Sequence, residues 1–353
     1  MKKKFKIGKL TVGQDHKTLI VAEISGNHGG KIQNAKKLIK LAKSTGADAV
    51  KLQSYTADSI TLNSKKKDFA LENTSPWSKY KYFWDLYKVA QTPLEWHKEL
   101  FSYANKIGIE IFSSPFDEIA VDYLEKLKCP AYKIASPEIN HFPLLKKIAK
   151  TKKPVIFSTG LATLKDIIEA IKYLKKNGSK KIIVLKCTSS YPSNFDDLNL
   201  KTIRDLSKRF NIISGFSDHS RGRLAPVVAC ALGAKVIEKH FMMKNSKTVD
   251  SFFSLNPIEF KKMVNEIRDC EKSLGKTTYN IPKCSLKSLN GKRSIYISQD
   301  IKKGEIFTSN NIKVVRPRYS LSPKYYEFIL KNKIKAKKIF TKGDRLTLKD
   351  IGL

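Results

Sequence analysis

The sequence predicts an α/β chain that forms a (β/α)8 TIM barrel followed by a small β-rich domain. Three observations predict it. Short apolar, β-rich runs recur eight times, each followed by a polar loop and a helical pattern. Most of these runs are apolar on both faces, as a parallel sheet covered by helices requires. The eight units occupy about 250 residues, the usual length of such a barrel. A doubly wound open sheet is the alternative, but no GxGxxG follows the first run.

The elements follow in order along the chain. Residues 5–12 alternate like a small hairpin ahead of the first barrel strand. Residues 33–45 show a helical apolar face and end at Gly46. Residues 163–177 open with Thr163 three residues before Asp166, which predicts a capping box. The predicted strands span residues 19–24, 49–53, 108–113, 131–135, 154–158, 182–187, 211–216 and 236–240.

Two segments depart from this rhythm. Residues 56–95 are too long for a simple strand-to-helix loop and contain an aromatic run between Trp77 and Tyr87. We expect this segment to build one wall of a site, with its aromatic rings serving mainly in packing. The pattern changes again after Lys276. We therefore expect a catalytic domain over residues 1–276, a linker over 277–287 and a second domain over 288–353, with short strands at 294–297 and 312–315.

Composition excludes several classes of protein. The 353 residues are 41% hydrophobic and 10% aromatic, which excludes global disorder. Five cysteines without a CxxC pair argue against a disulfide framework or a zinc knuckle. The longest charge-free stretches have eleven residues, about half of a membrane span. The basic start is not followed by an apolar segment, so we expect a cytoplasmic protein with no membrane partner.

The net charge of +36 suggests a nucleic-acid partner, but the kind of basic residue argues against one. Only nine of the 68 basic residues are Arg, the residue on which base-specific readers depend. Lysines are spread over nearly every predicted helix rather than clustered. We therefore expect no nucleic-acid partner, and we expect the positive field to attract small anions such as phosphates and carboxylates.

Polar side chains stand at the C-terminal ends of all eight predicted strands, where barrels of this kind carry their chemistry. Lysines and hydroxyls suit a phosphate with a carboxylate, and two histidines on adjacent strands suit a divalent metal with open positions. The pattern favours an enzyme for an anionic ligand, although ordinary strand-end turns are the rival interpretation. These residues include Glu23, Lys51, Gln53, Ser114, Lys133, Ser136, Glu138, Ser158, Ser189, Tyr191, Ser217, His219, Glu238 and His240.

Lys51 and Lys133 are predicted to lie inside apolar strands, in the stretches AVKLQ and YKIAS. An unpartnered lysine there would cost several kcal/mol. Either an anionic ligand or an internal salt bridge must therefore supply a partner.

The same segments carry a family resemblance. In order, AEISGNHGG, DAVKLQSYTADSITL, FSSPFDE, YKIASPEI, STGLATL, LKCTSSYP, FSDHS and EKHF resemble the sialic acid (nonulosonic acid) synthase family. The tail DIKKGEIFTSNNIKVVRP resembles that family's C-terminal antifreeze-like (SAF) domain. LYKVAQTPLEWHKELF, FSSPFDE and DSFFSL resemble the pseudaminic acid synthase branch more than the N-acetylneuraminate branch.

The resemblance implies a carbon–carbon bond-forming transferase. C3 of phosphoenolpyruvate attacks the open-chain aldehyde of an N-acetylated amino sugar, water adds at C2, and phosphate leaves by C–O cleavage. The implied sugar of the pseudaminic branch is 2,4-diacetamido-2,4,6-trideoxy-L-altrose, and the implied product is pseudaminic acid. The alternative is an N-acetylneuraminate or legionaminate synthase that uses N-acetylmannosamine or a related acetamido sugar.

The resemblance also implies site residues. His219 and His240 match the metal ligands, with Mn²⁺ as the expected ion and Mg²⁺ or Co²⁺ as alternatives, and Asp250 matches a carboxylate that holds a metal-bound water in the sugar site. Glu23 matches the general acid/base, and Glu138 matches a second carboxylate nearby. Gln53 and Tyr191 match positions that line the sugar site. The matches to the phosphoenolpyruvate site are Lys51, Ser114, Lys133, Ser136, Ser158, Ser189 and Ser217.

Arg316, in the stretch VVRP, matches an arginine that the tail domain of one subunit places over the sugar site of its partner. The resemblance therefore implies a domain-swapped homodimer. The family usually has a glycine-rich turn after this motif, whereas this chain has Arg318, Tyr319 and Ser320.

Overall fold

A closed barrel of eight parallel strands holds the larger hydrophobic core of the chain. The computed structural model describes residues 3–353, and the chain divides into two units, Met1–Gly275 and Lys276–Leu353. The eight barrel strands follow one another in chain order, and the last is hydrogen-bonded to the first. The strands of both units are β1 (Lys4–Ile7), β2 (Leu10–Gly13), β3 (Leu19–Glu23), β4 (Ala49–Ser54), β5 (Glu110–Pro115), β6 (Tyr132–Ile134), β7 (Val155–Ser158), β8 (Ile182–Cys187), β9 (Ile213–Asp218), β10 (Val236–His240), β11 (Ser294–Ile297) and β12 (Ile312–Val315).

Helices cover the outside of the barrel and bury their apolar faces against it. In the helix that contains Ala35 and Leu38, these residues are buried with Ile39 and Ala42 on the predicted face. The α-helices of both units, of which α11 belongs to the second, are α1 (Ile32–Ser44), α2 (Ala57–Ile60), α3 (Phe83–Ala90), α4 (Leu94–Ile107), α5 (Glu118–Lys126), α6 (Phe142–Lys150), α7 (Leu164–Lys176), α8 (Thr202–Phe210), α9 (Leu224–Ala231), α10 (Pro257–Leu274) and α11 (Tyr326–Lys331).

The predicted barrel is confirmed, and so are its local signals. β1 and β2 form the expected antiparallel hairpin. The capping box at the start of α7 is present: the Thr163 hydroxyl accepts from the Asp166 amide at 3.3 Å, and the Asp166 carboxylate accepts from the Thr163 amide at 2.8 Å. Across residues 3–353, no helix combines the length and the apolar composition that crossing a bilayer takes.

Two barrel strands begin two residues later than predicted. β5 begins at Glu110 rather than at residue 108, and β9 begins at Ile213 rather than at residue 211. In both places the cap of the preceding helix and one linking residue come before the strand. Gly108 and Asn211 cap α4 and α8 in the left-handed conformation, at φ values of 73° and 48°. A strand cannot start at such a residue, because its backbone conformation is not extended.

The join between β5 and β6 is the thinnest around the barrel. β6 has only three residues, and its register with β5 consists of the single pair Ser113 and Tyr132. By comparison, β4 and β5 are paired over six residues.

The long excursion after β4 folds into α2, α3 and two short 3-10 turns, Lys67–Phe69 and Ser78–Tyr80. Part of it packs with Val249 in a small apolar cluster that includes Leu86 and Ala90. The Trp77 indole donates to the Val249 carbonyl at 2.9 Å. The excursion is therefore fastened to the loop that follows β10.

The second unit has its own core. β11 and β12 pair antiparallel at the residues that the sequence predicts, with Ile295 opposite Val314. Phe307 and Phe340 pack against each other beneath them. Between Gly275 and β11, the structure has two short 3-10 turns, Lys283–Ser285 and Lys287–Gly291.

Candidate active site

Strand register brings the predicted catalytic groups to one end of the barrel. Glu23, the last residue of β3, lies opposite Lys51 of β4 on one side and opposite His240 of β10 on the other. On β10, side chains alternate between the two faces, so Glu238 shares the inner face with His240. Residues of the first and last barrel strands, β3 and β10, are therefore neighbours only because the barrel closes.

Two ammonium groups and two carboxylates form a buried cluster at this end. Lys51 forms an ion pair with Glu23 and lies 3.6 Å from Glu238, and Lys133 lies 3.6 Å from the same Glu238 oxygen. All four side chains are at most 6% exposed. Lys51 also donates to the Ser114 hydroxyl at 3.3 Å. The partners that buried lysines require are thus available within the protein itself.

The pKa values of the cluster follow from burial and mutual attraction. Burial lowers the pKa of Lys133, and Glu238 offsets this only in part. Burial would raise the pKa of Glu238, but Lys133 and Lys51 outweigh it and hold that pKa below its usual range. Burial raises the pKa of Glu23 even against the attraction of Lys51. Glu23 can therefore keep a proton at a higher pH than a free carboxyl group.

Glu238 contacts both lysines, although the sequence places it only in the general set of polar residues at strand ends and the family resemblance implies no specific role for it. It accepts a further hydrogen bond from the Ser217 hydroxyl at 3.2 Å. The signal was available, because a period of two along β10 places residue 238 on the same face as residue 240. Its contact with Lys133 could not be read from the sequence. Lys133 is on β6, across the barrel from β10, and the distance between the two side chains is set when the barrel closes.

His219 and His240 meet at the ends of β9 and β10, with ring centroids 5.4 Å apart. The Nδ1 atom of His219 is 2.9 Å from the Thr188 carbonyl oxygen. A carbonyl can only accept, so Nδ1 carries a proton and Nε2 is the ring nitrogen that remains available to a metal. The Nδ1 atom of His240 is buried without a hydrogen-bond partner and lies 3.9 Å from an Asp250 oxygen.

These histidines suit a divalent metal. Burial, followed by the charges of His219 and Lys51, holds the pKa of His240 well below its usual value, and the neutral imidazole is the form that binds metal. Within residues 3–353, no three His, Cys, Asp or Glu side chains converge closely enough to hold an ion by themselves. Two imidazoles with Asp250 nearby would leave positions open for water or substrate.

Serine hydroxyls lie at or just after the C-terminal ends of β6, β7 and β8. Ser136 accepts from the Gly160 amide at 2.9 Å. A side chain at position 160 would clash with Ser189, so glycine permits the two hydroxyls to approach. The Ser158 hydroxyl is buried without a hydrogen-bond partner. Such a hydroxyl can bind an anion that enters the site.

Glu138 lies in the 3-10 turn Ser136–Asn140 that follows β6. Its Oε2 atom has no hydrogen-bond partner, and burial raises its pKa to about 7. Cys187, at the end of β8, is a further ionisable group. Burial would raise its pKa, but His219, whose Nδ1 atom lies 3.7 Å from the sulfur, acts together with Lys133 and Ser136 to outweigh burial and bring the pKa to about 7.

The other predicted site residues fall into two groups. Gln53 lies two residues beyond Lys51 on the same face of β4, and the Tyr191 ring lies 4.3 Å from His219. Arg316 belongs to the second unit, directly after β12. Its place over the sugar site of a partner subunit stays a prediction.

Comparisons with known proteins agree with this geometry. The NeuB family model matches residues 38–279. The chain is 47% identical over 337 residues to the pseudaminic acid synthase of Campylobacter jejuni subsp. jejuni serotype O:23/36 (strain 81-176), covering 95% of this chain and 97% of the relative. It is 44% identical over 334 residues to the pseudaminic acid synthase of Helicobacter pylori (strain ATCC 700392 / 26695), covering 94% and 97%.

Solved structures give the same result for the fold. The N-acetylneuraminic acid (sialic acid) synthetase from Leptospira borgpetersenii serovar Hardjo-bovis, determined in complex with citrate, superposes with a TM-score of 0.72 at 30% identity. The match covers 82% of this chain and 96% of that structure.

Proposed function

Since this chain belongs to the NeuB family, we propose that it is a phosphoenolpyruvate-dependent pseudaminic acid synthase. It condenses phosphoenolpyruvate and water with 2,4-diacetamido-2,4,6-trideoxy-L-altrose and releases pseudaminic acid and phosphate. The similarity to two pseudaminic acid synthases over almost the whole chain supports the choice of sugar. The pair of histidines beside the buried cluster of Lys51 and Lys133 is the observation that carries the chemistry.

The lysines and serines bind phosphoenolpyruvate. Lys51 and Lys133 exchange part of their pairing with Glu23 and Glu238 for the phosphate and carboxylate of the substrate. Because the ammonium groups are already held in place, the lysine side chains lose little conformational entropy when the anion binds. The hydroxyls that donate to its oxygens are those of Ser114, Ser136, Ser158, Ser189 and Ser217.

Two carboxyl groups can transfer protons during the reaction. Glu23, whose pKa burial raises, acts as the general acid/base towards the water that adds at C2. Glu138, with a pKa of about 7, is a second group that can gain or lose a proton at neutral pH. Gln53, Tyr191 and Asp250 orient the sugar so that its aldehyde carbon faces C3 of phosphoenolpyruvate.

A divalent cation would be held by His219 and His240, with Asp250 close to the second imidazole. The synthases of this family depend on a metal. Mn²⁺ is the proposed ion, with Mg²⁺ or Co²⁺ as alternatives. When bound, it supplies a Lewis acid that withdraws charge from the aldehyde oxygen.

The activity is tested by incubating the protein with phosphoenolpyruvate, the diacetamido sugar and Mn²⁺. We expect release of phosphate and formation of a nine-carbon sugar acid. Treatment with a chelator should abolish both, and added Mn²⁺ should restore them. Absence of phosphate release with every N-acetylated amino sugar contradicts the activity. A higher kcat/KM for N-acetylmannosamine or a legionaminate precursor assigns the alternative synthase.

We also propose that the protein is a homodimer in which Arg316 acts on the partner's site. The test combines two variants, Arg316→Ala and His240→Ala, each expected to be inactive alone. If Arg316 acts across the dimer, each mixed dimer has one complete site, and co-expression restores about a quarter of the activity by random pairing. If Arg316 acts within its own subunit, no site is complete and co-expression restores nothing.

A further inference from the structure

An aromatic surface extends outward from the two histidines. We call Trp77, Tyr191, Phe252 and Phe253 the aromatic wall. Phe253 and Tyr191 form its inner part: their ring centroids lie 4.6 Å from His240 and 4.3 Å from His219. Trp77 and Phe252 form its outer part and lie 5.8 Å apart. Trp77 is 5.2 Å from Tyr191, and Phe252 is 5.0 Å from Phe253.

The outer part is fixed in position although it is partly exposed. The Trp77 indole donates to the carbonyl of Val249, 172 residues further along the chain. The loop that carries Phe252 is closed at its base, where Phe241 bridges to Leu255. Phe253 is 2% exposed, whereas Phe252 is 38% exposed. A rigid, accessible apolar surface is therefore present beside a mouth otherwise lined by charged and polar groups.

The outer part offers no hydrogen bond to a ligand. Phe252 has no polar side-chain atom, and the only polar atom of the Trp77 side chain is already bonded to Val249. A hydroxyl group pressed against these rings would lose water without gaining a partner, whereas a methyl group would gain contact.

The aromatic wall begins at the two histidines, where the proposed reaction places the aldehyde of the sugar. If the aldehyde lies at the histidines, an extended sugar chain carries its opposite end along Tyr191 and Phe253 towards the outer rings. We propose that Trp77 and Phe252 bind the methyl group at C6 of the sugar and thereby select 6-deoxy sugars over sugars with a hydroxymethyl group. This inference rests on the proposed synthase activity, and it assigns specificity to two residues outside the proposed set of site residues.

The first test compares two sugars, the trideoxy substrate and its analogue with a hydroxyl at C6. One methyl-sized contact in an apolar pocket changes kcat/KM by roughly 10- to 200-fold. We expect Phe252→Ala to lower kcat/KM for the 6-deoxy sugar by about 10-fold or more and to change that for the hydroxymethyl sugar much less. The KM for phosphoenolpyruvate should not change. Leu274→Ala is the control, since Leu274 is exposed at the C-terminal end of α10 and should leave the preference intact.

The second test does not depend on turnover. The chain has three tryptophans, and sugar bound against Trp77 should change its fluorescence. Trp77→Phe, which keeps an aromatic ring, should remove the sugar-dependent change, whereas Trp84→Phe should retain it. Trp84 bonds to Asp58 and has no ring contact with the aromatic wall among residues 3–353.

The outcomes separate this inference from the function on which it rests. Wild-type turnover with a sugar preference that Phe252→Ala leaves unchanged overturns the inference alone, as does an equal loss for both sugars. No turnover of either sugar by the wild type, with no fluorescence change, overturns the inference together with the proposed function.

Discussion

A buried ion pair stabilises the strand ends that carry the two histidines. Lys239 and Asp218, on adjacent strands, form an ion pair at 2.5 Å and both side chains are fully buried. Lys239 also donates to the Ser220 carbonyl, and the Asp218 carboxylate accepts from the Ser220 amide at 2.8 Å. Asp218 and Lys239 directly precede His219 and His240 in the sequence, but their side chains point to the opposite face of the barrel sheet. It therefore supports the backbone that carries them.

Removing one member of this pair should destabilise the protein strongly. We expect Lys239→Met to lower the free energy of unfolding by about 3–5 kcal/mol, because it leaves the Asp218 carboxylate buried without a counter-charge. Lys272→Met is the matched control: its partner Asp269 and Lys272 itself are more than 70% exposed. The control should cost about 1 kcal/mol or less. Urea denaturation measures both, and equal losses would contradict the argument.

Glu138 should make stability depend on pH in a defined direction. Its pKa is about 7 in the folded protein against an ordinary value of 4.5. The folded state therefore keeps a proton that the unfolded state loses, and stability falls as pH rises from about 4.5 to about 7. Glu138→Gln cannot lose that proton. Urea midpoints measured between pH 4.5 and 8 should show the wild type losing stability relative to the variant, and parallel curves would refute this.

The elements that could be predicted from the sequence are those that depend on residues close together in the chain. The capping box of α7 and the hairpin of β1 and β2 depend on residues a few positions apart, so a single sequence predicts them. The early strand starts failed at Gly108 and Asn211, where apolar runs continue through a helix cap. The contacts of Glu238 with the two lysines and the bond from Trp77 to Val249 could not be predicted, because both depend on distances set by folding.

The cap of α10 should contribute measurably to stability. Asn256 accepts from the Ile258 and Glu259 amides at 2.9 and 3.1 Å, and the Glu259 side chain accepts from the Asn256 amide at 3.0 Å. We expect Asn256→Ala to cost about 1 kcal/mol in thermal or urea unfolding. Lys31→Ala is the control, since Lys31 occupies the same position of α1 without a side-chain cap. A loss at Lys31 as large as that at Asn256 would argue against capping as the cause.

The charge of the whole molecule acts on the encounter with substrate rather than on the fold. Net charge of +36 raises the local concentration of anions around the barrel, and salt screens this field. Phosphoenolpyruvate is anionic and the proposed sugar is neutral, so salt should weaken the encounter with phosphoenolpyruvate but not with the sugar.

We expect kcat/KM for phosphoenolpyruvate to fall by roughly 3- to 10-fold between about 10 mM and 200 mM salt. The value for the sugar should change little over the same range. Steady-state assays at fixed saturating concentrations of the other substrate measure both. Equal salt dependence for the two substrates would mean that the net charge does not steer phosphoenolpyruvate.

The single residue pair that joins β5 to β6 has a dynamic consequence. Few backbone hydrogen bonds protect this part of the barrel, so the amides of β6 should exchange with deuterated solvent sooner than those of β8, which pairs with β9 over five residues. Lys133 lies in the middle of β6. An anion that binds its ammonium group would oppose this local opening. The same ligand would then occupy the site and also slow amide exchange where β5 and β6 meet.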